Sequence, residues 1–228
     1  MSRTTTTTTT TTSVLGSRRC IVEVSSELRS ALFAGLRYLS RHPSSVSGHH
    51  AVGVLYLSGS VRGGVLVDKL LEAALVHFEA GLRLDGGHVP TLLDMSVALL
   101  RKGDIVRAEM LCREALRLDG CSALGYNTLA LALSAQGRFG SALKTVRLAL
   151  FYGPELACVH RTAARLLRGQ GQTHRAIIHY LKLTELDPGD VSNYVRLQSA
   201  LVSEGRLLEA HKYARIANGL KGGVVRER

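Results

Sequence analysis

The chain has 228 residues, of which 46% are hydrophobic and 5% aromatic, with no Trp. This length allows one extended domain or one large globule, and the hydrophobic fraction is enough for a sizeable core. Ala, Leu and Gly dominate and long alternating Val/Ile runs are absent, which favours an all-helical protein. No apolar run approaches the roughly 20 residues that a membrane-spanning helix needs, so we expect a soluble chain.

The formal net charge of +11 indicates contact with nucleic acid, an anionic membrane or acidic protein. The alternative is that the basic residues, spread along the chain, form no more than a positively charged surface. None of the four cysteines, Cys20, Cys112, Cys121 and Cys158, forms a C-x-x-C pair. We therefore expect no zinc or dithiol site and a reducing compartment.

Residues 1–22 are Thr-rich and offer no apolar face to bury, so we expect them to be disordered. Arg3, Arg18 and Arg19 occur there with no acid before Glu23, a composition typical of organelle transit peptides. Consecutive threonines do not form the amphipathic helix of such peptides. We expect a cytoplasmic protein, with a mitochondrial or other organellar location as the alternative if this segment is a targeting signal.

The next segment, residues 23–44, predicts one helix that packs on or caps the rest of the chain. It has a Ser-x-Glu start, and Leu28, Leu32, Leu36 and Leu39 follow helical spacing. His42-Pro43 ends it.

An internal repeat of 34 residues governs the remainder of the sequence. Three columns recur in one register: Ala74, Ala108, Ala142, Ala176 and Ala210; Gly103, Gly137, Gly171 and Gly205; and Leu99, Leu133, Leu167 and Leu201. Three columns in register over four copies are very unlikely by chance.

Each unit predicts two helices, A and B, joined at the glycine. Gly137 lies in the turn, where a residue free to adopt positive φ costs least. Helix B then begins near Phe139 and ends before Gly153-Pro154. Ala142 keeps the two helices close together, opposite a small-residue column on helix A that Gln198 interrupts in the last copy: Ser96, Ala130 and Ala164.

With its closing Leu-Asp-Pro at residues 186–188, this pattern resembles the tetratricopeptide repeat. The resemblance covers residues 89–224 in four copies and leaves 225–228 as a basic tail. Residues 45–88 resemble a divergent, longer-looped repeat. The resemblance implies an all-α fold, a right-handed superhelical solenoid of about five helix-turn-helix repeats.

Tetratricopeptide-repeat proteins generally bind partner peptides or helices, as scaffolds, adaptors and co-chaperones. The resemblance therefore implies a non-catalytic protein–protein interaction function, with helix A lining a concave groove. By phase, the groove residues fall into four sets: Leu93, Val97 and Leu100; Leu124, Asn127, Leu131 and Ser134; Arg161, Arg165 and Arg168; and Val195, Ser199 and Val202.

This predicted groove begins apolar and becomes basic. Arg161, Arg165 and Arg168 share one helix face, where like charges repel each other unless an anionic group binds. We expect a partner peptide or helix with both apolar and acidic residues. The alternative is a solvated face whose arginines pair with neighbouring acids such as Glu155 or Glu185.

One tetratricopeptide subclass clamps the acidic C-terminal tails of chaperones. That resemblance is incomplete, because Asn127 fits one position of the clamp but Leu93 and Val97 stand where Lys and Asn are needed. The clamp is therefore not assigned to this chain.

A second class of function is that of a basic RNA- or ribonucleoprotein-associated protein. The net charge, the basic C-terminal end and the Arg-containing N-terminus favour it, whereas the scarcity of aromatic residues for base stacking opposes it. The oligomeric state is left open by the sequence.

An enzyme is the third class, and the sequence opposes it. His49-His50 and the pair His174 and His179 are the available candidates, and neither has H-E-x-x-H spacing. Asp104, Asp187 and Asp190 fall in turns and are interpreted as helix caps. We expect no catalytic residue, cofactor or metal ion.

Overall fold

The computed structural model of the chain describes residues 25–60 and 65–226. The expected disorder and targeting role of residues 1–22, the centre of the long loop at 61–64, and the last two residues of the basic tail lie outside these ranges.

Within those ranges the chain forms eleven α-helices and no strand, so the predicted all-α class is confirmed. In chain order they are α1 (Ser26–Arg41), α2 (Val46–Gly59), α3 (Val65–Leu84), α4 (Val89–Lys102), α5 (Ile105–Leu118), α6 (Ala123–Ala135), α7 (Phe139–Tyr152), α8 (Ala157–Gly169), α9 (Thr173–Leu186), α10 (Val191–Ser203) and α11 (Leu207–Arg226). None of the described helices is both long and apolar enough to cross a bilayer.

Helices α4 to α11 follow the predicted 34-residue period. Helix A starts at residues 89, 123, 157 and 191, and helix B starts at 105, 139, 173 and 207. The turn between the helices contains a left-handed glycine, with φ of +89° at Gly103 and +76° at Gly137, as the repeat predicted. The residue after Gly103, Asp104, donates its N–H to the carbonyl of Leu99, which satisfies one of the last carbonyls of α4.

The alanine column lies where the helices of each hairpin contact each other. Ala108, Ala142 and Ala176 have no exposed surface, so any longer side chain there would have to displace the partner helix. Ser96 of the small column on helix A accepts a hydrogen bond from the Cys112 thiol at 3.3 Å. Burial raises the pKa of that thiol to about 11, which makes Cys112 an unreactive core residue.

The first hairpin, α2 and α3, differs from the others mainly at the start of its second helix. Ala74 is the tenth residue of α3, whereas Ala108 is the fourth residue of α5. Most of the extra length of this divergent unit is therefore helical. Gly53 of α2 packs against the ring of Phe78, which is fully buried.

The helix α1 precedes this hairpin and packs on α2. Its N-terminus is capped by Ser25, whose side chain accepts a hydrogen bond from the Leu28 N–H. Its C-terminal cap is His42, next to Pro43, where the sequence predicted the end of the helix.

The chain divides into two compact units, one ending at Asp119 and the other beginning at Gly120. The first unit contains α1 to α5 around one apolar core, which includes Tyr56, Phe78 and Leu99. The second unit contains α6 to α11 around two apolar clusters, which include Val146 and Leu183 respectively.

Candidate protein-binding face

In the second unit the A helices α6 and α8 contact each other directly. Asn127 and Arg161 are each the fifth residue of their helices, and Leu131 and Arg165 are each the ninth. The structure thus places these two predicted site sets on neighbouring helices of one unit. We call Leu124, Asn127, Leu131, Arg161, Arg165 and Arg168 the α6–α8 face.

Asn127 is the most buried member of this face, with 7% of its surface exposed. Its side-chain oxygen Oδ1 has no hydrogen-bond partner among the described residues. Leaving such a buried acceptor unpaired costs about 1–3 kcal/mol.

The three arginines of α8 are all exposed, but their surroundings differ. Arg161 Nη2 lies 4.0 Å from Asp190 Oδ2. Within the described part of the chain, neither Arg165 nor Arg168 makes an ion pair. Two of the three guanidinium groups are therefore available to an anionic partner.

The acids that the sequence suggested as partners for these arginines are engaged elsewhere. Glu155 and Glu185 lie 3.2 and 3.6 Å from Nζ of Lys182 on α9, and the hydrogen bond to Glu155 raises the pKa of that lysine. Glu155 and Glu185 therefore do not pair with the α8 arginines, but the alternative of an acid from a neighbouring helix holds for Arg161. The acid that approaches an arginine there is Asp190, the N-cap of α10.

The apolar groove residues predicted on α4, namely Leu93, Val97 and Leu100, belong to the first unit. Leu93 is partly buried, and Val97 and Leu100 pack against the core of the first unit. A single groove that runs from this set to the arginines therefore stays a prediction. On α10, Val195 and Val202 are exposed, and their place in a groove also stays a prediction.

The positive charge is concentrated rather than spread along the chain. Residues 120–184 contain eight Lys and Arg but only one acid, Glu155. This segment runs from the turn before α6 to near the end of α9, just before Glu185, and it accounts for most of the net charge of +11. The second unit thus carries the feature of the sequence that points to an anionic partner.

An aromatic cluster lies in the same segment. The rings of Tyr126 and Tyr152 stack with centroids 5.6 Å apart, and Phe151 contacts Tyr152 edge-on at 5.1 Å. Phe151 is 76% exposed. The sequence alone does not show this stack, because the partner of Tyr126 is contributed by the next helix.

The histidines pair in ways that the sequence did not predict. His50 lies 2.8 Å from Asp94 of α4, whereas its neighbour His49 lies 3.3 Å from His77 of α3. His179 pairs with His160 at 3.0 Å rather than acting with His174. Adjacent or nearby histidines in the sequence thus have different partners, each supplied by another helix.

No grouping typical of a metal centre accompanies these pairs. Among the residues that the structure describes, no three His, Cys, Asp or Glu side chains come together in a way that could hold a metal ion. The turn residues Asp104 and Asp190 accept hydrogen bonds from the N–H groups of Arg107 and Ser192, as expected of helix caps.

Solved structures similar to this chain include three helical-repeat proteins. TTC0263, a thermophilic TPR protein in Thermus thermophilus, has a TM-score of 0.63 at 20% identity over 76% of this chain and 90% of its own. MamA has a TM-score of 0.60 at 20% identity over 73% and 99%, respectively. YrrB, a TPR protein with an unusual peptide-binding site, has a TM-score of 0.53 at 16% identity over 83% and 93%.

No protein-family model and no curated protein sequence matches the chain. The structural similarity at these identities bears on the fold, and it agrees with the period, the left-handed glycines and the buried alanines. The chain therefore has the tetratricopeptide-repeat fold, as its sequence pattern predicted.

Proposed function

We propose that this chain is a non-catalytic scaffold or adaptor that binds a segment of a partner protein on the α6–α8 face. The observation that carries the proposal is the pair of exposed guanidinium groups of Arg165 and Arg168, which make no ion pair with the described residues, on the helix that contacts the one carrying Leu124 and Leu131. Two exposed cations without ion-pair partners, beside a helix with apolar side chains, suit a ligand that brings carboxylates and apolar groups.

The side chains of the α6–α8 face indicate what kind of partner would bind there. The guanidinium groups of Arg165 and Arg168 bind Asp or Glu side chains or a terminal carboxylate. Leu124, which is half exposed, and Leu131 contact apolar side chains. The partner is thus a peptide or helix with apolar and acidic residues. The structural neighbour YrrB is described as having a peptide-binding site, which supports a peptide partner in general.

The second candidate function is association with RNA or with a ribonucleoprotein. The charge excess of residues 120–184 favours it, together with the exposed aromatic ring of Phe151 in the same segment. The two candidates differ in what holds the partner, since RNA binding depends on the total positive charge and weakens steeply with salt.

Affinity capture from a lysate of the source cells, at physiological salt and with or without nuclease, tests both candidates. The test variant is R165E/R168E on α8. The control is K144E/R147E on α7, which also reverses two exposed charges three residues apart. We expect the test variant to lose the protein partners by about tenfold or more, because it replaces attraction to carboxylates by repulsion.

The control should retain these partners, with nuclease making no difference. Equal losses in both variants would contradict the assignment of the face, since total charge would then be what matters. Partners that disappear on nuclease treatment would replace the scaffold with the RNA-associated candidate.

A further inference from the structure

Two hairpins of the chain contain the same polar arrangement. In α8–α9, Nε2 of His160 lies 2.7 Å from the carbonyl oxygen of Pro154, and its Nδ1 lies 3.0 Å from Nδ1 of His179. His160 is buried and its partner is half-buried. The histidine pair therefore ties helix A to both helix B and the preceding turn.

The arrangement in α2–α3 has the same atoms in the same roles. Nε2 of His49 lies 3.0 Å from the carbonyl oxygen of Pro43, and its Nδ1 lies 3.3 Å from Nδ1 of His77. His49 and His160 are each the fourth residue of helix A. His77 and His179 each follow the column alanine by three residues. The repeat register therefore places both pairs at one structural position.

The proton positions follow from the acceptors. A proline carbonyl can only accept, so Nε2 of His160 carries a hydrogen and donates it to Pro154. In the neutral ring Nδ1 of His160 is then bare, and it accepts from Nδ1–H of His179. The same reasoning applies to His49 and His77. Each neutral pair thus shares one hydrogen between two Nδ1 atoms.

Protonation disrupts this arrangement. A first proton on the outer nitrogen of His179 keeps the bridge but puts a cation in a partly buried position near Arg175. A second proton on His160 leaves two Nδ1–H groups facing each other, and the bridge is lost. In an opened hairpin both rings reach water. They then accept these protons without burying a cation and without losing a hydrogen bond.

The other hairpins fill the same two positions with side chains other than histidine. Leu92 and Leu111 occupy them in α4–α5, and Tyr194 and Tyr213, with ring centroids 6.5 Å apart, occupy them in α10–α11. The contact between helices A and B at this place therefore does not require histidine. Only in hairpins α2–α3 and α8–α9, among the described hairpins, is this contact made by two histidines.

We propose that the two histidine pairs are pH-responsive latches, which hold hairpins α2–α3 and α8–α9 closed at neutral pH and release them in mildly acidic solution.

Burial and the neighbouring basic groups oppose the protonation of His77 and His179. Burial, then His160, then Arg175 on the same helix lower the pKa of His179 to about 4, and neither α7 nor α10 contributes a charge to it. Burial and then His49 lower the pKa of His77 to about 4, with no contribution from α1 or α4. The nearby His50 is directed to Asp94 instead.

Hydrogen–deuterium exchange of the full chain, corrected for the intrinsic pH dependence of amide exchange, tests the latches. Between about pH 7 and about pH 5 we expect α2–α3 and α8–α9 to lose protection by about tenfold or more. Hairpin α4–α5, with Leu92 and Leu111, is the internal control and should keep its protection. The variant H160L/H179L copies this leucine pair, so its α8–α9 hairpin should stop responding while α2–α3 still responds.

An equal loss of protection in α4–α5 would overturn the proposal, since it would reflect general acid destabilisation. A response of α8–α9 that persists in H160L/H179L would do the same. If that variant does not fold, nuclear magnetic resonance of the wild-type imidazoles decides. Nδ1-protonated His77 and His179 that stay neutral well below pH 6.5 support the latches, whereas titration of both rings near the ordinary value of 6.5 contradicts them.

Discussion

Arg161 on α8 lies 4.0 Å from the carboxylate of Asp190, the residue that also caps the N-terminus of α10. The ion pair makes the three α8 arginines unequal, because Asp190 competes with any acidic partner for Arg161. The partly exposed geometry gives this pair at most a modest contribution to stability.

Replacing Asp190 by Asn separates the two roles of this residue. The amide oxygen still accepts from the Ser192 N–H, so we expect the free energy of unfolding to change by less than about 0.5 kcal/mol. The affinity for the acidic partner of the α6–α8 face should rise, since Arg161 is released. Urea denaturation and titration calorimetry with the captured partner measure the two effects, and a lower affinity would contradict the competition.

Ala142→Leu tests the packing of the alanine column. Ala142 has no exposed surface, so the added atoms must push α6 and α7 apart, and we expect a loss of about 1–3 kcal/mol in the free energy of unfolding. Lys144→Leu on the same helix is exposed and is the control. Equal stabilities of the two variants in urea denaturation would show that the column tolerates larger side chains.

Two glycines close in sequence should respond to alanine in opposite directions. Gly137 has φ of +76° and no atom within 4 Å of an added Cβ, so the cost of Gly137→Ala is conformational, about 1–2 kcal/mol. Gly140 lies in α7 with equally open space. There alanine should stabilise by about 0.5–1 kcal/mol, because helical alanine loses less backbone entropy. Thermal melts of both variants compare the signs directly.

The stability of the chain should fall as the solution becomes acidic. The pKa of His77 is lowered from 6.5 to about 4 in the folded state, so the unfolded chain takes up its proton first. The neutral His77 ring therefore contributes to the free energy of unfolding above pH 6.5, and this contribution is lost as the pH falls towards 4. At about pH 5.5 we expect the free energy of unfolding to be lower by about 1 kcal/mol because of the His49–His77 pair.

Urea denaturation at about pH 7 and about pH 5.5 measures this loss. The variant H49L/H77L, which copies the residues of α4–α5, is the control and should lose about 1 kcal/mol less than the wild type over the same interval. A wild-type stability that rises on acidification would contradict the direction of the shift.

Much of the fold follows from periodicity in the sequence. The starts of α4 to α11, the left-handed conformation of Gly103 and Gly137, and the burial of Ala108 and Ala142 are all properties of single positions in the repeat. Such positions depend on local backbone preference and on the hydrophobic face of one hairpin. Both can be identified without knowing which other helix lies alongside.

The candidate site was only partly predictable. Phase placed Asn127 and the α8 arginines on the A-helix surface. The repeat phase did not indicate that Asn127 would be buried with an unpaired oxygen, or that Arg161 would form an ion pair with Asp190. In the alternative in which neighbouring acids pair with these arginines, Asp190 supplies an ion pair. Glu155 and Glu185 instead lie close to Lys182 on the adjacent helix B.

The amino-acid sequence by itself determined the helices, their turns and the spacing of their contacts, since these result from interactions within one repeat. Only the tertiary structure decided which polar side chains meet, as with His49 and His77, which are 28 residues apart. Hydrogen bonds and ion pairs require atoms within about 3–4 Å in a defined orientation. Hydrophobic burial has no such directional requirement, and a repeating pattern is therefore enough to predict it.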